Sequence, residues 1–132
     1  MKKFGLNPVA RKWVEALRSG KYKQTVGALT EMNKEGKVVG HCCLGVLCEL
    51  AVADGIVKKT VTKTGRVRYG GKDALLPKQV QKWVRLKTDN GNLGGTYPYD
   101  YSSLVRLNDD GNKSFKAIAR VIEQKAKELF FE

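Results

Sequence analysis

Histidine occurs once in 132 residues, and proline and cysteine three times each. Acidic residues are outnumbered, 13 Asp and Glu against 25 Lys and Arg. Each shortage excludes something. An odd set of cysteines, with Cys42 and Cys43 adjacent, is a poor disulfide framework and fits a reducing compartment. No apolar run approaches the roughly 20 residues needed to cross a bilayer. The start, MKKFGLNPVARKW, has the positive charge of a signal peptide but no apolar stretch behind it. A cytoplasmic, non-membrane protein is expected. There is no GxxxxGK[ST] phosphate loop, no dinucleotide fingerprint after a strand, and no paired-carboxylate, kinase or hydrolase signature.

What the chain does have is apolar content and positive charge. A hydrophobic fraction of 42% and the length fit one folded domain over residues 1–132. The net charge is +12, and it is uneven: residues 57–87 hold ten basic residues and one acid, Asp73. Such a surface attracts phosphate, in a nucleotide, a nucleic acid or an anionic partner. The bland alternative is a solvated face that serves solubility.

Asn7-Pro8 caps and opens a helix over 8–19, with Val9, Trp13, Ala16 and Leu17 at helical spacing and Ser19-Gly20 as its stop. Residues 21–40 read as extended structure, with a turn at Asn33–Lys37. Residues 42–53 hold one polar side chain, Glu49, and read as a buried helix, although periodicity alone does not exclude a strand. GIVKKTVTKTGRVRYGG alternates Val57, Val61, Val67 and Tyr69 with cations around Thr64-Gly65, which predicts a hairpin with one apolar and one cationic face. A third helix is expected over 77–87, with Val80, Trp83 and Val84 on one side. Residues 88–101, rich in Gly and Asn, read as a loop. NDDGN then reads as a turn, and Ser114 caps a fourth helix with Phe115, Ile118, Ile122 and Leu129 on its core face. The sum is an α+β fold, about four helices packed on a small antiparallel sheet or hairpin.

Three chemical sites compete for these residues. A cysteine at the helix start in HCCLGVLCEL would gain nucleophilicity from the helix dipole. Papain-like peptidases begin a helix similarly, but they need a histidine from a later strand, and none follows His41. Structural zinc takes ligand pairs from two segments, whereas His41, Cys42, Cys43 and Cys48 lie within eight residues of one. The cysteines are therefore expected to be small apolar core residues, although the Cys42 thiol could lie exposed at the helix start. Asn108, Asp110 and Asn112 alternate like the start of a calcium loop, but its sixth and twelfth positions hold Lys113 and Ala119. No catalytic residue, metal ligand or cofactor is assigned. Binding remains. Lys21, Lys23, Arg66 and Arg68 are the phosphate-binding candidates, and Tyr22, Tyr69 and Tyr99 are the base-stacking candidates, because cations interleaved with aromatics suit nucleotides and single strands. The tryptophans are expected in the core.

The order W–ALRSGKYKQ, CCLGVLCELA, LP-V-KWV-L and L-RLNDDGNKSFKAIARVIE resembles a family of small tailed-phage proteins over nearly the whole chain. The CCLGVLC and LND-G–SF blocks are the specific parts. The resemblance implies aspartate where Glu49 stands and often an aromatic residue where His41 stands. The second departure speaks against His41 as a catalytic base. The resemblance implies an origin rather than a reaction: a phage accessory protein for host takeover or counter-defence in an infected bacterium. The expectation is a non-enzymatic binder of an anionic nucleotide-type ligand, such as a defence second messenger, with homo-oligomers building pockets between subunits. Nucleic-acid binding by the same face, inhibition of a host defence protein, and a cysteine enzyme on an unfamiliar plan are the alternatives.

Overall fold

The computed structural model describes residues 5–93, 103–110 and 113–132. Helix α1 (Pro8–Arg18) starts as its sequence requires: Asn7 Oδ1 accepts the Ala10 N–H at 2.8 Å, and Pro8 opens the first turn. Its buried face is Ala10, Trp13, Val14 and Leu17. Strands β1 (Thr30–Met32) and β2 (Val38–His41) pair antiparallel across the Asn33–Lys37 turn. There Asn33 Oδ1 accepts the N–H groups of Glu35 and Lys37 at 3.0 and 2.9 Å. The segment around Gln24 runs along the other edge of β2, with His41 O accepting the Thr25 N–H and Lys23 O accepting the His41 N–H, both at 2.8 Å.

Helix α2 (Cys43–Ala53) lies in the middle of the molecule and is apolar on nearly every side. A helix without a polar face has to be wrapped. Helix α1 covers it, with Trp13 Nε1 donating to the Cys43 carbonyl at 2.9 Å. Strands β3 (Lys59–Val61) and β4 (Val67–Tyr69) form the second hairpin, and Val57, Val67 and Tyr69 turn inward. Val61, beside its turn, is half exposed. Helices α3 (Lys78–Val84), α4 (Leu104–Asp109), α5 (Phe115–Gln124) and α6 (Ala126–Leu129) complete the α+β arrangement. Among the described residues four of the six helices have seven residues or more. The six helices, β1 and β4 all contribute apolar side chains to one core.

Three readings change. The third helix stops at Val84, because Arg85 takes a left-handed conformation (φ 68°) and Leu86 then bridges to Phe130. The C-terminal helix breaks at Lys125 into α5 and α6, although Phe115, Ile118, Ile122 and Leu129 are all buried as expected. The start of NDDGN is not a turn: Asn108 and Asp109 belong to α4. Ser114 does cap α5, accepting the Ala117 N–H at 3.2 Å. Among the described residues no helix is long and apolar enough to cross a membrane.

Candidate functional site

The cysteine block folds into the core. Cys42, Cys43 and Cys48 are all buried. Burial pushes their thiols up, Cys42 to about 11. A nucleophilic cysteine needs the opposite shift and an open approach. The start of α2, which would activate a thiolate, is already occupied by protein: Leu29 O accepts the Cys42 N–H at 3.1 Å, and Asn108 Oδ1 accepts the Cys43 N–H at 3.2 Å. Asn108 also accepts from Gln24 Nε2 at 2.8 Å and donates to Thr25 O at 2.9 Å. The CCLGVLC and LND blocks thus meet at one buried amide.

His41 turns away from the cysteines into a chain of polar groups. Its Nδ1 lies 2.7 Å from Thr30 Oγ1, which lies 2.6 Å from the Tyr69 hydroxyl. Tyr69 donates to Glu49 Oε2, and the Lys59 ammonium sits 2.8 Å from the same oxygen. A carboxylate only accepts, so the protons run one way: His41 Nδ1–H to Thr30, Thr30 to Tyr69, Tyr69 to Glu49. This sets the His41 tautomer. Burial works against the charged Glu49, but the hydrogen bonds from Lys59 and Tyr69 outweigh it and hold its pKa below the ordinary carboxylate range. Burial, then the bond to Glu49, pushes Tyr69 far up. The chain ties β2, β1, β4 and α2 together. His41, Thr30 and Tyr69 are buried, while the Glu49–Lys59 end of the chain is partly exposed.

A pH dependence follows. Burial lowers the His41 pKa below its ordinary 6.5. The unfolded chain then takes up a proton at a higher pH than the folded chain does. The stability this group contributes is full above about pH 6.5 and is lost as pH falls through the folded value. Glu49, also depressed, adds a loss of the same sign at lower pH. We expect the urea midpoint to fall between about pH 7 and pH 5, and His41→Phe to remove most of that slope whatever it does to the level. An unchanged slope would mean that other groups govern it.

The predicted phosphate-binding residues do not converge. Arg66 and Arg68 both reach Asp73, at 3.3 and 4.0 Å, on the rim of a cleft of about 180 Å³ that also holds Glu31. Their charge is already partly answered. Lys21 and Lys23 are exposed but belong to the segment along the edge of β2 opposite β1, whereas Arg66 and Arg68 belong to the second hairpin. Tyr22 is half-buried, with its ring edge-on to His41 at 5.5 Å. Tyr69 was expected to stack on a base; it is buried, and its hydroxyl is taken by Thr30 and Glu49, so that role is withdrawn. Tyr99 lies outside the described residues.

A second cationic region, not singled out from the sequence, is better formed. Lys78, Lys82 and Arg85 follow one another at four and three residues along α3 and its cap. They border an open cleft of about 450 Å³ with Lys87, Gln81, Leu86 and Phe131, and no acidic side chain lines it. Among the described residues no group of three His, Cys, Asp or Glu is arranged to hold a metal.

The chain matches the family model described as "Domain of unknown function (DUF8296)" over residues 6–126. It belongs to that family. The matched span takes in the polar chain, the Asn108 junction and all of α3, but stops before Phe131 in this DUF8296 member. No curated protein and no solved structure matches the chain.

Proposed function

We propose that this DUF8296 member is a phage accessory protein, used in host takeover or counter-defence, that binds an anionic nucleotide-type ligand without catalysing its conversion. The reading is carried by surface charge. Of the ten basic residues in 57–87, only Lys59 is drawn inward; the other nine stay exposed, and the same stretch of sequence holds a single acid. A surface of this kind concentrates phosphate and speeds its capture. The buried thiols support binding over cysteine chemistry.

The test is native mass spectrometry of protein purified from expressing cells, before and after denaturation. A nucleotide released at fixed stoichiometry is the expected result, and it would also give the oligomeric state. Nucleic acid that salt removes, with a steep dependence over several phosphates, would replace the small-molecule reading with strand binding. A co-purifying host protein with no small molecule would replace it with inhibition of that protein.

A further inference from the structure

We propose that the cleft between α3 and residues 129–131 is the ligand site, and that it takes a free nucleotide, with phosphates on the α3 cations and a base against Phe131. The inference rests on the anion-binding reading above and places it.

The first observation is sign. The ten cations of 57–87 divide between two regions. Those at the hairpin share their space with Asp73, which Arg66 and Arg68 both contact. Lys78, Lys82, Arg85 and Lys87 have no lining acid, and no side-chain carboxylate pairs with any of them among the described residues. An anion held by Lys78, Lys82 and Lys87 displaces no ion pair. Arg85 does donate to the main-chain oxygen of Glu132, and Lys87 to the Lys127 carbonyl at 3.2 Å. The Lys127 carbonyl is a neutral partner, so the uncompensated charge of the cleft rests on Lys78, Lys82 and Lys87.

The second is the aromatic. Phe131 is 56% exposed, the most exposed of the large apolar side chains described. It is not a loose end. Its N–H donates to Arg85 O at 2.9 Å, and the Lys87 N–H donates to Leu129 O at 2.9 Å, so a short antiparallel clasp holds the backbone that carries the ring beside the cations. Its neighbour Phe130 turns into the core against Trp13. Lys87 Nζ stands 5.9 Å from the Phe131 ring centre, a cation held near an aromatic face. An exposed ring beside unpaired cations has the composition of a base-and-phosphate platform.

The third is backbone. Arg85 is the one non-glycine with positive φ among the described residues. Glycine or asparagine relieves that conformation at a helix end, and a long side chain there costs about 1 kcal/mol. The chain nevertheless has arginine, whose guanidinium borders the cleft and donates to the Glu132 main-chain oxygen; its planar fork suits phosphate. The volume, about 450 Å³, lies in the range of small-molecule sites.

The test is calorimetry at low salt with two probes, ATP and tripolyphosphate. The wild-type chain should bind both. Lys78→Glu with Lys82→Glu should weaken both at least tenfold. Phe131→Ala should weaken ATP by about 5- to 100-fold, the range for loss of one stacked base, and leave tripolyphosphate within twofold. All three residues are surface side chains, and unchanged melting temperatures would confirm that the variants fold. If Arg66→Glu with Arg68→Glu abolishes binding while the α3 pair does not, anion binding stands and this placement falls. If Phe131→Ala weakens both probes equally, or neither, the base contact falls. If a single-stranded oligonucleotide binds at least tenfold more tightly than ATP and loses that binding in the same variants, the cleft is a strand site and the free-nucleotide assignment is overturned. If neither probe binds the wild-type chain, both proposals fall together.

Discussion

Gly45→Ala should destabilise the protein by about 3 kcal/mol, against the usual preference of helices for alanine. In an open helix this change gains up to about 1 kcal/mol. Here a Cβ would lie 1.7 Å from the Leu29 carbonyl oxygen and 2.6 Å from its carbon. Neither atom is the free end of a side chain. Leu29 O also accepts the Cys42 N–H at 3.1 Å, so pushing the two segments apart breaks a buried bond at the start of α2. Overpacking of this kind costs about 1 to 3 kcal/mol, and the lost bond adds to it. Urea denaturation read by circular dichroism would show the drop as a lower midpoint with an unchanged slope. A variant as stable as the parent would mean that α2 does not sit against residue 29 as described.

Asn108→Ala should cost about as much, by another route. No clash arises; partners are lost. The Cys43 N–H, the Gln24 amide and the Thr25 carbonyl all lose the group they face. Each buried polar group left unpaired costs about 1 to 3 kcal/mol, and water entering the space recovers part of that. The total is set at about 3 kcal/mol. Gln24→Ala removes only one of these bonds, and its amide also reaches the exposed Lys113 carbonyl at 2.8 Å. It should cost about 1 kcal/mol. Thermal melts of the two variants side by side would decide the matter: equal small shifts would reduce Asn108 to an ordinary surface amide.

The two results bear on what a sequence makes visible. Helix α1 was legible because its cap, its proline and its apolar spacing are local, and so was the turn held by Asn33. Helix α2 was legible because an unbroken apolar run has few places to go. Asn108 was read as part of a turn because its partners come from residues 24, 25 and 43, which no local pattern connects to it. Tyr69 gave two signals. Its place in the alternation with Val57 and Val67 pointed inward, while its hydroxyl and the flanking cations suggested a stacking surface. The alternation prevailed, because Thr30, Glu49 and Lys59 converge on that hydroxyl and on the carboxylate beyond it. The α3 stripe of Lys78, Lys82 and Arg85 was present in the helical spacing. What completes it, Phe131, arrives from more than forty residues away through backbone pairing alone.

The packing of α1 against α5 has one further consequence. Arg18 and Glu123 meet across 105 residues of chain, and the helices that carry them are each other's principal neighbours. Helix α2 has no polar face of its own and is covered by α1 and by α4, whose first residue lies about fifty residues beyond its end. A ribosome extends the chain at about 5 to 20 residues per second. The apolar sides of α1 and α2 therefore wait several seconds before α5 emerges to cover the first and α4 to cover the second. For that interval the nascent protein is a pair of greasy helices with a positively charged hairpin behind them. Its yield in cells should depend on what shelters those helices during synthesis as much as on the stability of the finished fold.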